Sequence, residues 1–239
     1  MTARTLLAIL LLGAATPAAA AKIVFLIGER EYDTRTTLPA FAEAYLKGHE
    51  CVFLNADPDN RDLVPGMSAV ADADLLVVSL RRRALPKADL QRVRDHVAAG
   101  KPLVSLRTGN HAFSLKGAEP PPGHATWEGF DVEVLGGRYD NHLKAGGTLV
   151  APTAPAGVPP FKTGGTLYRI FDLSEDATVW AVGVPEGETE PRFPVLWSRT
   201  TEQGGRVVSS TLGHPSAFEQ RGFVTLLKRG FDWVLEGRS

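Results

Sequence analysis

Lys22–Ile27 reads KIVFLI, and from Ile23 onward it is apolar without alternation. A run of this kind fits a strand buried on both faces, the signature of a parallel sheet covered by helices. Similar runs follow at Cys51–Leu54, at Leu75–Leu80 (LLVVSL) and at Pro102–Leu106 (PLVSL). Between the first two, Leu38, Phe41, Tyr45 and Leu46 fall on one helical face, and Pro39 suits a first turn. Between the last two, a helix opens at Pro86, carries Leu90, Val93 and Val97 at 3.6-residue spacing, and stops at Gly100. Strands alternating with amphipathic helices predict an α/β fold with a mostly parallel sheet.

The second half is less regular. Gly117–His124 and Ala151–Gly165 are rich in proline and glycine and read as loops. Strand-like runs return at Val132–Leu135, Thr178–Val184, Pro194–Ser198 and Arg206–Leu212. A closing helix from about Gly222 to Leu235 presents Phe223, Leu226, Leu227, Phe231, Val234 and Leu235 to the core. The reading is one domain over 22–237, with a loop-rich insertion before the last strand–helix pair.

The chain holds 26 basic and 27 acidic residues among 239, a net charge of −1. No broad basic field is available, which argues against a nucleic-acid partner. The single cysteine, Cys51, excludes an intrachain disulfide and a multi-cysteine zinc site, and it reads as a small buried hydrophobe. Residues 1–20 read as a secretory signal: Arg4 supplies the charge, Leu6–Leu12 the apolar run, and Ala18–Ala20 the small-residue cleavage region. Its removal takes away Arg4 and no acid, leaving 25 basic and 27 acidic residues, net −2. The expectation is an exported protein, periplasmic or secreted, with no membrane segment once the signal is cleaved.

In open α/β sheets ligands bind at the carboxyl ends of the strands. Glu29, Arg30, Glu31 and Tyr32 follow the first strand, and Arg81–Arg83 the third. Arg107, Thr108, Asn110 and His111 follow the fourth, and His214 the last; His142 arrives from the insertion after Gly136-Gly137-Arg138-Tyr139. The candidate catalytic residues are His111, His214 and Arg107. The candidate substrate-binding residues are Glu29, Tyr32, Arg81, Asn110 and His142. Plain structural alternatives stand beside these. A histidine next to glycine or asparagine can cap a turn, Arg107 can serve a salt bridge to Glu29 or Glu31, and Arg81–Arg83 can be a solvated edge with one member turned inward. His49, His96 and His124 read as surface or loop residues. Trp127 is a candidate for stacking on a sugar, whereas Trp180, Trp197 and Trp233 lie in regular runs that suit the core.

Several motifs are absent: G-x-S-x-G, the P-loop, G-x-G-x-x-G and H-E-x-x-H. Asp57-Pro58-Asp59-Asn60 lacks the glycine and the distal acid of a calcium loop and reads as a turn.

Taken in order, five segments resemble the ThuA-like (trehalose utilisation) family: IGEREYDTRTTLPAF, ADLLVVSLRRRALP, AGKPLVSLRTGNHAF, GGRYDNH and GRVVSSTLGHPSAF. The resemblance implies the class I glutamine amidotransferase-like architecture, a flavodoxin-like three-layer sandwich. Active amidotransferases carry a cysteine at the turn after the fourth strand, where this chain has Ser105-Leu106-Arg107-Thr108-Gly109. Loss of glutaminase activity is therefore implied. Sugar metabolism is implied too, particularly of keto-sugars and their glycosides, with a small sugar-like ligand.

Three functions stay open on these residues. One is proton transfer beside a ketone, leading to isomerisation or elimination, with His111 or His214 as base, Arg107 steadying the enediolate, and Glu29 and Tyr32 holding hydroxyls. A second needs no cofactor and no catalysis, only carbohydrate binding. A third places a divalent metal on His111, His142 and His214 as a hydrolase centre. A homodimer is an open alternative to a monomer.

Overall fold

In the computed structural model, which describes residues 20–144, 146–153 and 157–237, strand β1 (Lys22–Gly28) is buried on both faces. Ile23, Phe25 and Ile27 join one apolar cluster, and Val24 and Leu26 join the other. That split follows from the two-residue period of a strand and is why the KIVFLI run cannot afford a polar side chain. All of the expected signal except Ala20 lies outside the described residues.

Helix α1 (Thr34–Tyr45) follows β1, and strand β2 (Glu50–Asn55) pairs parallel to it. Strand β3 (Leu75–Leu80) lies on the other side of β1, also parallel. A short strand β4 (Leu85–Pro86) leads into α2 (Lys87–Ala98) and then β5 (Leu103–Leu106). Short β6 (His124–Ala125) pairs with β4. Strands β7 (Arg138–His142), β8 (Thr148–Pro152), β9 (Phe161–Thr163), β10 (Tyr168–Phe171), β11 (Thr178–Pro185), β12 (Phe193–Thr200) and β13 (Arg206–Ser210) follow. A one-turn helix α3 (Pro215–Phe218) and the long α4 (Arg221–Glu236) close the chain.

The main sheet has nine strands among the described residues, in the order β2-β1-β3-β5-β13-β12-β11-β8-β9. From β2 to β13 every pairing is parallel. Counting only those five strands in chain order gives 2-1-3-4-5, the flavodoxin-like arrangement, whose order reverses between β1 and β3. Helices α1 and α4 cover one face through Leu38, Phe41, Leu226 and Phe231; α2 covers the other through Leu90 and Val93. The expected three-layer α/β sandwich is what forms.

Three details of the secondary structure differ from the sequence reading. The insertion supplies β11 and β12 at the runs expected there and adds β8 and β9, which overlap the Ala151–Gly165 stretch read as loop; all four extend the sheet antiparallel beyond β13. It also supplies a separate ribbon of β7 and β10. Val132–Leu135, read as a strand, is instead a π-helical turn over Asp131–Leu135, ended by Gly136 at φ 74°. The Asp131 carboxylate explains the difference, since it accepts from the amides of Val132 and Tyr139 and curls the segment back on itself. Helix α1 also starts earlier than expected, so Pro39 sits inside it rather than in its first turn. Asp57 accepts from the amides of Asp59 and Asn60, the turn that segment suggests. No helix among the described residues is long and apolar enough to cross a membrane.

His96, read as a surface residue, is buried on the inner face of α2 with Leu90 and Val93. One ring nitrogen bonds to the Pro102 carbonyl at 2.9 Å; Nδ1 is buried without a partner. Burial pushes its pKa down to about 4 from an ordinary 6.5. A depressed folded value means the neutral ring stabilises the fold fully above about pH 6.5 and loses that contribution as pH falls toward 4. Between pH 7 and pH 5 the loss is about 2 kcal/mol. Urea unfolding at the two pH values checks this: the wild type should weaken by that amount, and His96→Gln should flatten the difference. Equal wild-type stability at both values would contradict it.

Candidate functional site

The centre of the site is the turn that follows β5. Arg107 enters it in the left-handed region, at φ 49°, and the chain continues as a 3-10 turn through His111. A non-glycine residue there carries about 1–2 kcal/mol of strain, so the surroundings must hold it. Gly109 allows the turn to sit against the sheet, because a Cβ at that position would run into the Val78 carbonyl and Ser105 Oγ. Asn110 ties the turn to β13 by donating to the Arg107 carbonyl at 3.1 Å and to the Ser210 carbonyl at 3.3 Å. The Asn110 amide is therefore committed largely to backbone.

The Arg107 side chain is buried and, among the described residues, has no carboxylate partner. Neither Glu29 nor Glu31 takes it; Glu31 pairs with Arg81 at 3.1 Å instead. Its Nη1 donates to the Thr211 carbonyl at 2.7 Å and the Thr166 carbonyl at 3.0 Å. Nη2 reaches the Tyr32 hydroxyl at 3.2 Å. The guanidinium lies 4.0 Å from the centre of the Tyr168 ring and 4.5 Å from that of Tyr32. Two aromatic faces and two carbonyls thus do the work of a counter-ion.

Rings extend this contact in both directions. Tyr168 packs on Tyr139 at 4.9 Å, and Tyr139 stacks on His111 at 4.4 Å between centroids. On the far side Tyr32 meets His214 edge-on at 6.2 Å. The column His111–Tyr139–Tyr168–Arg107–Tyr32–His214 therefore joins β7 and β10 to the segments that follow β1, β5 and β13. His142 touches its flank, 6.2 Å from the Tyr168 ring, and is exposed.

Beside the column opens a cavity of about 440 Å³, lined among others by Arg82, His111, Trp127, Glu128, Asp131 and Tyr139. The amide of Arg82 donates to the His111 carbonyl at 3.2 Å, which sets Arg82 next to the histidine. Burial, reinforced by Arg82, Arg81, Arg107 and Lys116, holds His111 well below the usual histidine range, so the ring is neutral at neutral pH. Burial raises the Tyr139 hydroxyl, which stays protonated, and raises the Asp131 carboxyl against its amide hydrogen bonds.

The other expected residues have specific places. Both Glu29 oxygens point to the start of α1, accepting from the amides of Glu31, Tyr32 and Thr34 and from the Thr34 hydroxyl. His214 caps α3: its Nδ1 takes the Ser216 hydroxyl at 2.7 Å and amide at 3.2 Å. Accepting at Nδ1 leaves the proton of the neutral ring on Nε2, so His214 presents a donor. Burial and Arg107 lower its pKa as well. Among the described residues no group of three or more His, Cys, Asp or Glu side chains could hold a metal ion, so His111, His142 and His214 do not form one.

Tyr139, Tyr168, Arg82 and Asp131 were not candidates in the sequence. A signal for Arg82 was present, because three arginines after a strand must point in different directions. None existed for Tyr168, which reaches the site only because β10 pairs with β7. Trp127 lines the cavity, but its Nε1 donates to Glu133 at 2.7 Å and Arg94 covers its ring at 4.2 Å. Trp197 is fully buried and Trp180 packs against Trp233, as regular-element tryptophans should.

The chain matches no protein-family profile and no curated protein. Solved structures do match it. A protein described as ThuA-like from Bacteroides uniformis aligns over 93% of this chain and 94% of its own, with TM-score 0.64 and 14% identity. Another ThuA-like protein, from Parabacteroides merdae, covers 92% and 91%, with TM-score 0.63 and 15% identity. The chain has the ThuA-like fold. A β-galactosidase from Rahnella sp. R3 shares it over 91% of this chain and 32% of the enzyme, with TM-score 0.54 and 15% identity. At such identities the ThuA-like likeness is one of architecture, and the chemistry has to be argued from the side chains.

Proposed function

We propose that this chain is an exported ThuA-like protein of carbohydrate metabolism, of the glutamine amidotransferase-like superfamily but without glutaminase activity. It acts on keto-sugars or their glycosides by moving a proton on the carbon beside the ketone. The observation that carries this is His111: a ring kept neutral by burial and nearby cations, on the wall of a sugar-sized cavity. A neutral ring can accept a proton. As the C–H bond breaks, its electron pair moves into the enediolate and negative charge grows on the former ketone oxygen. Arg82 lines the cavity and is placed to face that charge. The same growing charge offsets the arginines that depress His111, so the ring gains proton affinity as the proton arrives. Delivery of the proton to the former carbonyl carbon, with the hydroxyl proton of the deprotonated carbon passing to the enediolate oxygen, gives isomerisation. Re-formation of the ketone with expulsion of the substituent on the carbon beyond the deprotonated one, the departing oxygen taking up the proton, gives elimination.

Arg107 is a positioning residue in this scheme, holding Tyr168 and Tyr32 between the two ends of the column. Proton NMR with 3-keto-trehalose in deuterated buffer tests the reading. Exchange of the proton beside the ketone, or product formation, is expected. Binding without exchange would replace it with the carbohydrate-binding alternative, and neither binding nor exchange would end it. Export has its own check: in an expressing Gram-negative cell the periplasmic protein should begin near Ala21, and a full-length chain in the cytoplasm would refute it.

A further inference from the structure

A second, smaller crevice of about 210 Å³ lies where the strand order reverses, between the carboxyl ends of β1 and β3. Its lining is Gly28, Glu29, Arg30, Glu31, Arg61, Arg81 and Arg83, four guanidinium groups against two carboxylates. The backbone explains how the arginine run divides. Arg82 sits at φ 48°, in the left-handed region, so it turns to the large cavity while its neighbours on either side line the crevice.

The two carboxylates are already engaged. Glu29 is taken up by the α1 amides, and Glu31 pairs with Arg81. Arg61 has Asp62 at 3.6 Å and also donates to the carbonyls of Arg81 and Arg82. Arg30 donates to the Pro58 carbonyl at 2.7 Å and Arg83 to the Gly28 carbonyl. Among the described residues neither has a carboxylate partner. Arg83 is buried, its Nη1 has no hydrogen-bond partner, and burial with Arg61 brings its pKa down to about 10. A crevice with two uncompensated guanidinium groups lowers its energy by admitting an anion.

We infer that this crevice is an anion site for an oxyanion-bearing ligand, a phosphoryl or carboxylate group, held by Arg30, Arg81 and the field of Arg83. The position agrees with the rule that such sheets bind ligands at the reversal point. The site does not depend on the chemistry of the large cavity, so each can fail without the other.

Isothermal titration of the full chain with inorganic phosphate, and separately with acetate, tests it. One of the two should bind at a single site, tighter at low salt. Arg30→Gln should weaken that binding by at least about ten-fold, the loss of one charged hydrogen bond. Arg81→Gln should also weaken it, and neither substitution touches the buried Arg83 that a fold defect would implicate. Phosphate binding over acetate identifies a phosphoryl ligand, and the reverse a carboxylate. Binding of neither at millimolar concentration, or unchanged affinity in both variants, overturns the inference.

Discussion

Replacing Arg107 with alanine is expected to lower the melting temperature by about 6–12 °C. The residue contributes two charge-assisted hydrogen bonds to the carbonyls of Thr166 and Thr211, each worth about 1.5–3 kcal/mol, and two desolvated ring contacts. Against this, the variant escapes the cost of burying a guanidinium, so the net loss is about 3 kcal/mol. For a chain of this length each kcal/mol corresponds to about 2–4 °C. Alanine keeps the strain of the left-handed turn, whereas glycine releases it. Arg107→Gly should therefore retain about 1 kcal/mol more than Arg107→Ala. Arg107→Lys cannot reach both carbonyls with a planar fork and should also be destabilised. Calorimetry measures all three. A shift of under about 2 °C for alanine would mean that Arg107 is not what joins the two halves of the column.

The second large effect concerns His111. His111→Ala should slow the exchange of the proton beside the ketone by about 100- to 10,000-fold, the usual span for losing a general base. His111→Gln fills similar space against Tyr139 and should lose as much activity while keeping more stability. The pH profile separates a base from a structural ring. Because His111 is held well below the ordinary histidine range, it stays unprotonated from pH 7.5 to pH 6, and the rate should not fall across that interval. A rate that drops with an inflection near 6.5 would transfer the role to another group. Wild-type exchange that survives in His111→Gln would remove His111 from the chemistry altogether.

The two effects arise from one piece of architecture. Arg107 and His111 are the two ends of a single five-residue turn, so a substitution that loosens the turn also moves the candidate base. Measuring exchange in Arg107→Lys at a temperature where it remains folded distinguishes these contributions. Loss in proportion to stability would mark a packing role, and loss beyond it a role in setting the field around His111.

The parallel core was legible because its cause is local. KIVFLI, LLVVSL and PLVSL are apolar at every position, and a strand with both faces covered has nowhere to place a polar side chain. The closing helix was legible for the same reason, as one apolar stripe at helical period. The carboxyl-end rim followed from strand direction alone, which is why the sequence could place Arg107, Asn110, His111, Tyr32 and His214 on one edge of the sheet. Its internal roles were not. Glu29 looks like a free acid in the sequence, yet the α1 amides claim it because the chain turns immediately after Gly28. His96 looks like a surface residue, yet helical spacing from Leu90 and Val93 carries it inward.

By itself, then, the sequence determined the parallel half of the sheet, the layers and the polar rim at the carboxyl ends of its strands. Only the tertiary structure decided which side chains share that edge. Tyr139 and Tyr168 come from a ribbon whose register depends on cross-strand pairing, and Arg82 and Arg83 part company at one left-handed residue. Such choices depend on contacts between segments far apart in the chain, which no local period encodes. The left-handed backbone at Arg107 belongs to the same class. It is held by carbonyls 59 and 104 residues away, and so exists only once the sheet has closed around it.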